Sequence, residues 1–325
     1  MEFGRAPETD SGWVGAGPDD DLDERLAAED AAGFDLAAPH VMTALGPIDP
    51  DALGVTLISA HLERRAAEPN EDRADDVLDR HATLAALEAA FAAGVRTMLD
   101  LGVVAGGLDV PAIAWLAARA PMHLVAAAPV APGLARNAAA DRLIADLREG
   151  IAGAAIRAGA ILLRHDRDNP TPGAAVEAAA AAQRRTGAPL FVSGDAEEMI
   201  VAIARLGDAG VGPNRVIAFA SAGKTSAQAI EMALTAGSFV ALVDLFVPRV
   251  DETAKRAAFV AALAAAGHGD RILLGAGPDW SGMLERFPLL LMDAGLDAIA
   301  VRTMLVDNPR RALTIEPPVE GEEIA

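Results

Sequence analysis

The residues that could do chemistry in this sequence are a few histidines and aspartates, each of which follows a short apolar run. They are His61, His165, Asp166, Asp195, Asp244 and Asp279. Imidazole and carboxylate groups bind divalent metals and also transfer protons. If the fold brings them together, they would form either a mononuclear metal centre or a metal-free acid/base site, built from His61, His165, Asp195, Asp244 and Asp279.

Two of these aspartates also have a purely structural interpretation. Asp195 is followed by Ala-Glu-Glu, a pattern typical of a helix N-terminus, and Asp279 lies in a comparable loop. An aspartate at this position accepts a hydrogen bond from a backbone N–H of the first helical turn. The sequence leaves both interpretations open.

Short apolar runs alternate with amphipathic segments along most of the chain. The runs predict strands at 55–58, 97–101, 124–127, 160–163, 190–192, 216–219, 239–242 and 272–274. The segments between them predict helices at 76–94, 110–118, 139–151, 173–185, 197–209, 225–236 and 253–266, with two more at 281–294 and 296–311. Continuous apolar strands are typical of a parallel sheet that helices cover on both faces. Eight such units, without a G-x-G-x-x-G motif after the first strand, favour a closed α/β barrel over an open sheet.

Seven segments of the chain carry a resemblance to a known family. They are TALGPIDPDALGVTLISAHL at 43–62, GVRTMLDLG at 94–102, RAGAILL at 157–163, TGAPLFV at 186–192, GPNRVIAF at 212–219, RILLG at 271–275 and LVDNPRRAL at 305–313. These segments resemble the phosphotriesterase family, metal-dependent hydrolases with a (β/α)8 TIM barrel in the amidohydrolase superfamily, which includes phosphotriesterase-like lactonases. The resemblance covers about residues 41–313. It implies a (β/α)8 TIM barrel of the metal-dependent hydrolase type.

The resemblance also implies six metal-ligand positions, of which this chain keeps one. The family's first strand ends in H-x-H, and here the triplet is Ser59-Ala60-His61. The other positions fall on residues that are poor zinc ligands or none at all: Leu162, Ser193, Ala220 and Gly277. Leucine, alanine and glycine side chains offer no lone pair to zinc, so His61 is the one remaining metal ligand.

These replacements predict a pocket that is drier and less polar than the family's. Its expected lining is Ser59, Leu162, Ser193, Ala220, Gly277 and Trp280. A register shift by two residues keeps a side chain on the same face of a strand, and it would bring Asp195 and Asp279 to the fifth and eighth strand ends. In that case they would be the catalytic residues of a rebuilt site.

Composition restricts the partners and the compartment. The net charge of −20 argues against nucleic acid and anionic membranes as partners, and the chain contains no cysteine. With no signal-peptide pattern at its start, we expect a cytoplasmic protein. We expect an acidic disordered extension at 1–36, the barrel at 37–315 and an acidic tail at 316–325.

Two functions remain open. The first is a non-catalytic member of the family that binds a small molecule or serves as a partner subunit, as a homodimer or with an active paralogue, and needs no cofactor. The second is a hydrolase of lactone, carboxylic-ester or phosphotriester bonds that uses a relocated site, with two divalent metals such as zinc if the family's site is rebuilt.

Overall fold

A computed structural model describes residues 34–59, 62, 80–102, 110–164, 173–247, 249–276 and 280–318. Eight parallel strands close into a barrel, which confirms the predicted fold class. A two-stranded antiparallel hairpin precedes it, formed by β1 (Val41–Thr43) and β2 (Gly46–Ile48). The predicted 1–36 extension lies almost entirely outside the described residues, as does most of the 316–325 tail.

The eight predicted strands are all present, and most are longer than their apolar runs. In chain order they are β3 (Thr56–Ser59), β4 (Thr97–Asp100), β5 (His123–Pro129), β6 (Ala160–Arg164), β7 (Leu190–Ser193), β8 (Val216–Ser221), β9 (Phe239–Val243) and β10 (Ile272–Ala276). Each strand pairs with its neighbour in sequence, and β10 pairs with β3 to close the barrel.

Helices follow the strands, as the amphipathic segments predict. They are α1 (Arg80–Ala92), α2 (Val110–Ala117), α3 (Arg136–Arg148), α4 (Gly173–Thr186), α5 (Ala196–Asp208), α6 (Ala227–Thr235), α7 (Val250–Leu263) and α8 (Trp280–Asp293). Among the described residues, no helix is both long and apolar enough to cross a bilayer.

The predicted last helix at 296–311 is interrupted. It consists of α9 (Ala298–Arg302), a π-helical segment (Thr303–Asp307) and α10 (Asn308–Leu313). Pro309 lacks a backbone N–H, so the regular ladder cannot continue through it, and the wider turn lies immediately before. The Asn308 side chain donates hydrogen bonds to the carbonyls of Gly269 and Ile272 at 2.9 and 2.7 Å. These bonds hold the start of α10 against the start of β10.

Alternation along the strands divides most of the core into two clusters. The inner cluster fills the barrel and its N-terminal end, and it comprises Val41, Leu53, Ile58, Leu99, Leu101, Val125, Ala127, Ala160, Leu162, Phe191, Ile217, Phe239, Ala241, Leu273, Ala312 and Leu313. The outer cluster lies between the strands and the helices and includes Ile161, Val192, Ala218 and Leu242. Successive side chains of a strand point to opposite faces, so each strand contributes to both clusters.

Gly159 allows the hairpin to pack against the barrel. A Cβ atom at this position would lie 2.2 Å from the Met42 carbonyl oxygen and 2.7 Å from Cγ1 of Val125. Ala44 of the hairpin turn also donates to the Leu124 carbonyl at 2.7 Å. The close approach of two backbones at the start of β6 therefore requires glycine.

We expect Gly159→Ala to lower the free energy of unfolding by about 2 kcal/mol or more, because the added methyl group overlaps a backbone carbonyl that cannot move without breaking the hairpin contact. Gly207→Ala is the control, since nothing lies within 4 Å of a Cβ at this position in α5. Helix propensity predicts that the control is stabilised by about 0.5–1 kcal/mol. Urea unfolding followed by circular dichroism measures both, and an equal effect of the two substitutions would contradict the assignment.

Candidate functional site

The candidate site lies at the C-terminal ends of the strands, where barrels of this class carry their active sites. Leu162 occupies the fourth-strand position, opposite Pro129 of β5 and Phe191 of β7 in the strand register. Its side chain is only 1% exposed and belongs to the inner cluster. A buried leucine surrounded by apolar side chains forms an apolar floor beneath the mouth of the barrel.

Above this floor, residues at or near the ends of β6, β7 and β8 share the inner face. Ser193 pairs in register with Arg164 on one side and with Phe219 on the other. Arg164 lies two residues beyond Leu162, so strand alternation places it on the same face, and it is exposed. Phe219 is partly buried and packs against the inner cluster. The mouth therefore carries a cation, a hydroxyl and an aromatic ring next to one another.

Two residues expected to line the pocket lie elsewhere. Ala220 is fully buried in the outer cluster, and its neighbours Phe219 and Ser221 occupy the inner face of β8 instead. The reason is alternation, since counting along the family motif does not establish which face a residue occupies. Trp280, the first residue of α8, is 4% exposed and also packs in the outer cluster.

Asp195 has the structural role that its sequence context allows. Its side chain accepts a hydrogen bond from the Glu198 backbone N–H at 3.1 Å, which makes it the N-cap of α5. Its carboxylate is exposed at the beginning of the helix. Part of its acceptor capacity is therefore used within the loop, and its catalytic role stays a prediction.

Asp244 forms a polar pair with Ser221 at the ends of two adjacent strands. Oγ of Ser221 donates to Oδ2 of Asp244 at 2.9 Å, and the Ser221 backbone N–H donates to Oγ1 of Thr225 at 3.1 Å. Asp244 has a φ of 56°, in the left-handed region that few non-glycine residues adopt. The sequence singled out Asp244 but not Ser221, which lies beyond the apolar run that ends at Phe219.

The remaining candidates lie outside the described residues. They are His61, His165, Asp166, Gly277 and Asp279, and the side chain of Ser59 is not described either. Ser59 ends β3, in register with Asp100 and Ala276. The convergence of His61 with Asp195 and Asp279 therefore stays a prediction.

The described strand ends do not fit a binuclear zinc site of the family's type. Such a site needs a bridging anion between two ions and imidazole or carboxylate ligands around them. Leu162 supplies no lone pair, Ser193 supplies a neutral hydroxyl, and Ala220 faces away from the barrel. Within the part of the chain that is described, no three His, Asp or Glu side chains are grouped so that they could hold a metal ion.

Two described histidines lie far from the mouth. His123 is the first residue of β5, and the His40 backbone pairs with Ile315 near the N-terminal end of the barrel. Burial lowers the pKa of His40 and that of His123, because the charged imidazolium is poorly solvated there. We assign them no part in the site.

Comparisons with known proteins agree with this fold. The sequence profile of the phosphotriesterase family matches residues 39–313. The "phosphotriesterase homology protein" of Mycobacterium tuberculosis is 27% identical over 321 residues, covering 84% of this chain and 97% of that protein. The structure of the phosphotriesterase from Mycobacterium tuberculosis superposes with a TM-score of 0.69 at 26% identity, over 85% of this chain and 98% of the other.

More distant structures share the fold. A lactonase from Listeria monocytogenes has a TM-score of 0.72 at 18% identity, over 85% of this chain and 99% of that one. An amidohydrolase from Mycoplasma synoviae has a TM-score of 0.71 at 17% identity, over 86% and 93% of the two chains. These structures and this chain share the closed (β/α)8 barrel. Within this fold class, the chain belongs to the phosphotriesterase family.

The Ser221–Asp244 pair can be tested by three substitutions at Asp244. Asparagine keeps an acceptor oxygen and tolerates positive φ, so we expect Asp244→Asn to stay within about 0.5 kcal/mol of the wild type. Alanine loses the hydrogen bond and also strains the backbone, whereas glycine loses only the bond, so we expect Asp244→Ala to be less stable than Asp244→Gly by about 1 kcal/mol. Chemical unfolding measures the order, and a glycine variant less stable than the alanine variant would contradict it.

Proposed function

We propose that this chain is a member of the phosphotriesterase family that binds a small molecule at the mouth of the barrel and does not carry out binuclear-metal hydrolysis. The observation that carries the proposal is Leu162. It occupies the position of the bridging ligand, and it lies buried among apolar side chains of the inner cluster. A bridging carboxylate would have to replace both this side chain and its surroundings.

Chemistry at the neighbouring positions supports the same function. A metal-activated water needs about three protein ligands to hold the ion and lower the pKa of the water. Of the family's metal-ligand positions, His61 alone keeps a side chain that binds zinc strongly. Without an ion to supply Lewis acidity, the site lacks the group that would polarise a carbonyl or phosphoryl oxygen.

The mouth still has the features of a binding site. Phe219 offers apolar surface above the buried Leu162, while Arg164 and Ser193 offer hydrogen-bond donors. Small-molecule sites typically combine an apolar lining with a few polar groups that orient the ligand. We infer a ligand with an apolar body and a carbonyl, carboxylate or phosphoryl group that accepts from Arg164 and Ser193. The chain could also act as a subunit of a larger complex, in which ligand binding at the mouth would be its contribution. This role needs the same binding site, so it is part of the same proposal.

Hydrolysis through a relocated site is the second candidate. Asp244 is held at the mouth in a left-handed conformation, a kind of strain that is enriched at functional sites. The relatives include a phosphotriesterase and a lactonase by name. A site that combines Asp244 with His61, Asp195 and Asp279 would act on lactone, ester or phosphotriester bonds by acid/base catalysis.

The experiment measures binding and turnover of the same compounds. An acyl-substituted lactone, a carboxylic ester and an aryl phosphotriester are titrated against the full chain, with product formation followed in parallel. We expect saturable binding of at least one probe, turnover no faster than the buffer background, and binding by His61→Ala within about twofold of the wild type. We expect Ser193→Phe to weaken binding at least about tenfold by filling the mouth.

The control is Arg205→Gln, on the exposed side of α5, compared with Arg164→Gln at the mouth. Only the latter should weaken binding. Turnover that His61→Ala abolishes would contradict the first candidate and support the second. Absence of binding by every probe, together with absence of turnover, would contradict both.

A further inference from the structure

The N-terminal end of the barrel holds an arginine-lined cavity of about 470 Å³. It lies beside the starts of β8, β9 and β10, at the opposite end of the barrel from the candidate site. Phe239, the first residue of β9, lies within it, and its lining includes four arginines and one carboxylate: Arg215, Arg271, Arg310, Arg311 and Glu316. This concentration of positive charge contrasts with a chain whose net charge is −20.

Two of the four arginines form ion pairs. Arg215 is nearly buried, donates to the Thr314 carbonyl at 2.9 Å and pairs with Glu316. Arg310 pairs with Asp51, whose side chain is 76% exposed. Ion pairs between exposed side chains contribute little free energy. The Arg310 guanidinium can therefore turn toward a bound anion, while the nearly buried Arg215 adds a fixed positive charge.

The other two arginines stand over one aromatic ring. The guanidinium carbons of Arg271 and Arg311 lie 5.8 and 5.7 Å from the ring centroid of Phe239. Arg271 donates to the Gly237 carbonyl at 2.7 Å, while Arg311 donates to Oδ1 of Asn308 at 2.7 Å and to the Asp270 carbonyl. Among the described residues, neither forms an ion pair with a carboxylate. A guanidinium has five N–H donors, so these bonds leave donors available.

The cavity is lined by four guanidinium groups and one carboxylate, so a bound anion would compensate part of its positive charge. The geometry points to a binding site for a phosphate group, as free phosphate or pyrophosphate or as part of a phosphorylated small molecule. Planar guanidinium groups match phosphate oxygens in pairs of parallel hydrogen bonds, which gives both strength and orientation. The backbone carbonyls and Asn308 hold Arg271 and Arg311 in place before the anion binds.

This site is independent of the mouth of the barrel. The cavity is built from residues that precede the strands and from α10, whereas the mouth is built from residues that end them. Loss of phosphate binding would therefore leave the ligand affinity at the mouth unchanged, and the two proposals can fail separately.

The experiment titrates the full chain with inorganic phosphate and with pyrophosphate by calorimetry, in sodium chloride of matched ionic strength. We expect saturable binding of one anion per chain, tighter for pyrophosphate. Arg271→Gln and Arg311→Gln should each weaken it about tenfold or more, because each removes a charge-assisted hydrogen bond. Arg311→Lys, which keeps the charge but loses the planar fork, should have an intermediate effect.

Arg96→Gln is the matched control. Arg96 also stands over an aromatic ring, 4.3 Å from the Phe91 centroid, and donates to two backbone carbonyls, but it lies outside this cavity. Its affinity for pyrophosphate should equal that of the wild type. Absence of saturable binding by the wild type, or an equal loss in Arg96→Gln and Arg311→Gln, would overturn the proposal. If either glutamine variant at 271 or 311 unfolds, a second comparison takes its place. Saturable binding by the wild type and its loss in Arg310→Gln, at a half-exposed position of the same cavity, would then support the proposal, and unchanged binding in Arg310→Gln would overturn it.

Discussion

Closure of the eight-stranded parallel sheet is the constraint on which the rest of this structure depends. The pairing of β10 with β3 leaves no free edge in the barrel, and strand alternation then assigns each residue to the inner or the outer cluster. Because of this alternation, Leu162 faces the interior and Ala220 faces the helices. The same closure places the residues that end the strands at one mouth and those that precede them at the opposite end.

The chemistry of the barrel interior depends on which side chains strand alternation directs into it. Leu162 lies between Pro129 and Phe191 in the strand register, at the position that the resemblance to the family aligns with a bridging ligand. A site that held two cations would need compensating anionic groups in the same space, and an apolar floor cannot provide them. In the proposed function, Arg164, Ser193 and Phe219 instead recognise a small molecule at the mouth.

The sequence was a good guide to the fold and a weaker one to the site. Eight apolar runs were enough to predict the strands, because burial on both faces produces a continuous hydrophobic signal. The hairpin of Val41–Thr43 and Gly46–Ile48 was missed, since strands of three residues carry almost no periodic pattern. Ala220 was expected at the pocket because motif counting locates a residue along a strand but not on one of its faces. Trp280 was expected in a loop, but it begins α8 and packs in the outer cluster. The Ser221–Asp244 hydrogen bond and the arginine-lined cavity join residues that are distant in sequence. A local sequence pattern cannot predict such contacts.

Metal content tests the central claim most directly. The full chain is purified without chelator, dialysed against zinc, passed over a desalting column and submitted to elemental analysis, with His61→Ala treated in parallel. The proposed loss of the family's ligands predicts well below one zinc per chain, and the same content in both proteins. One or two tightly bound ions per chain, lost in His61→Ala, would contradict it and would establish a rebuilt metal site in this barrel.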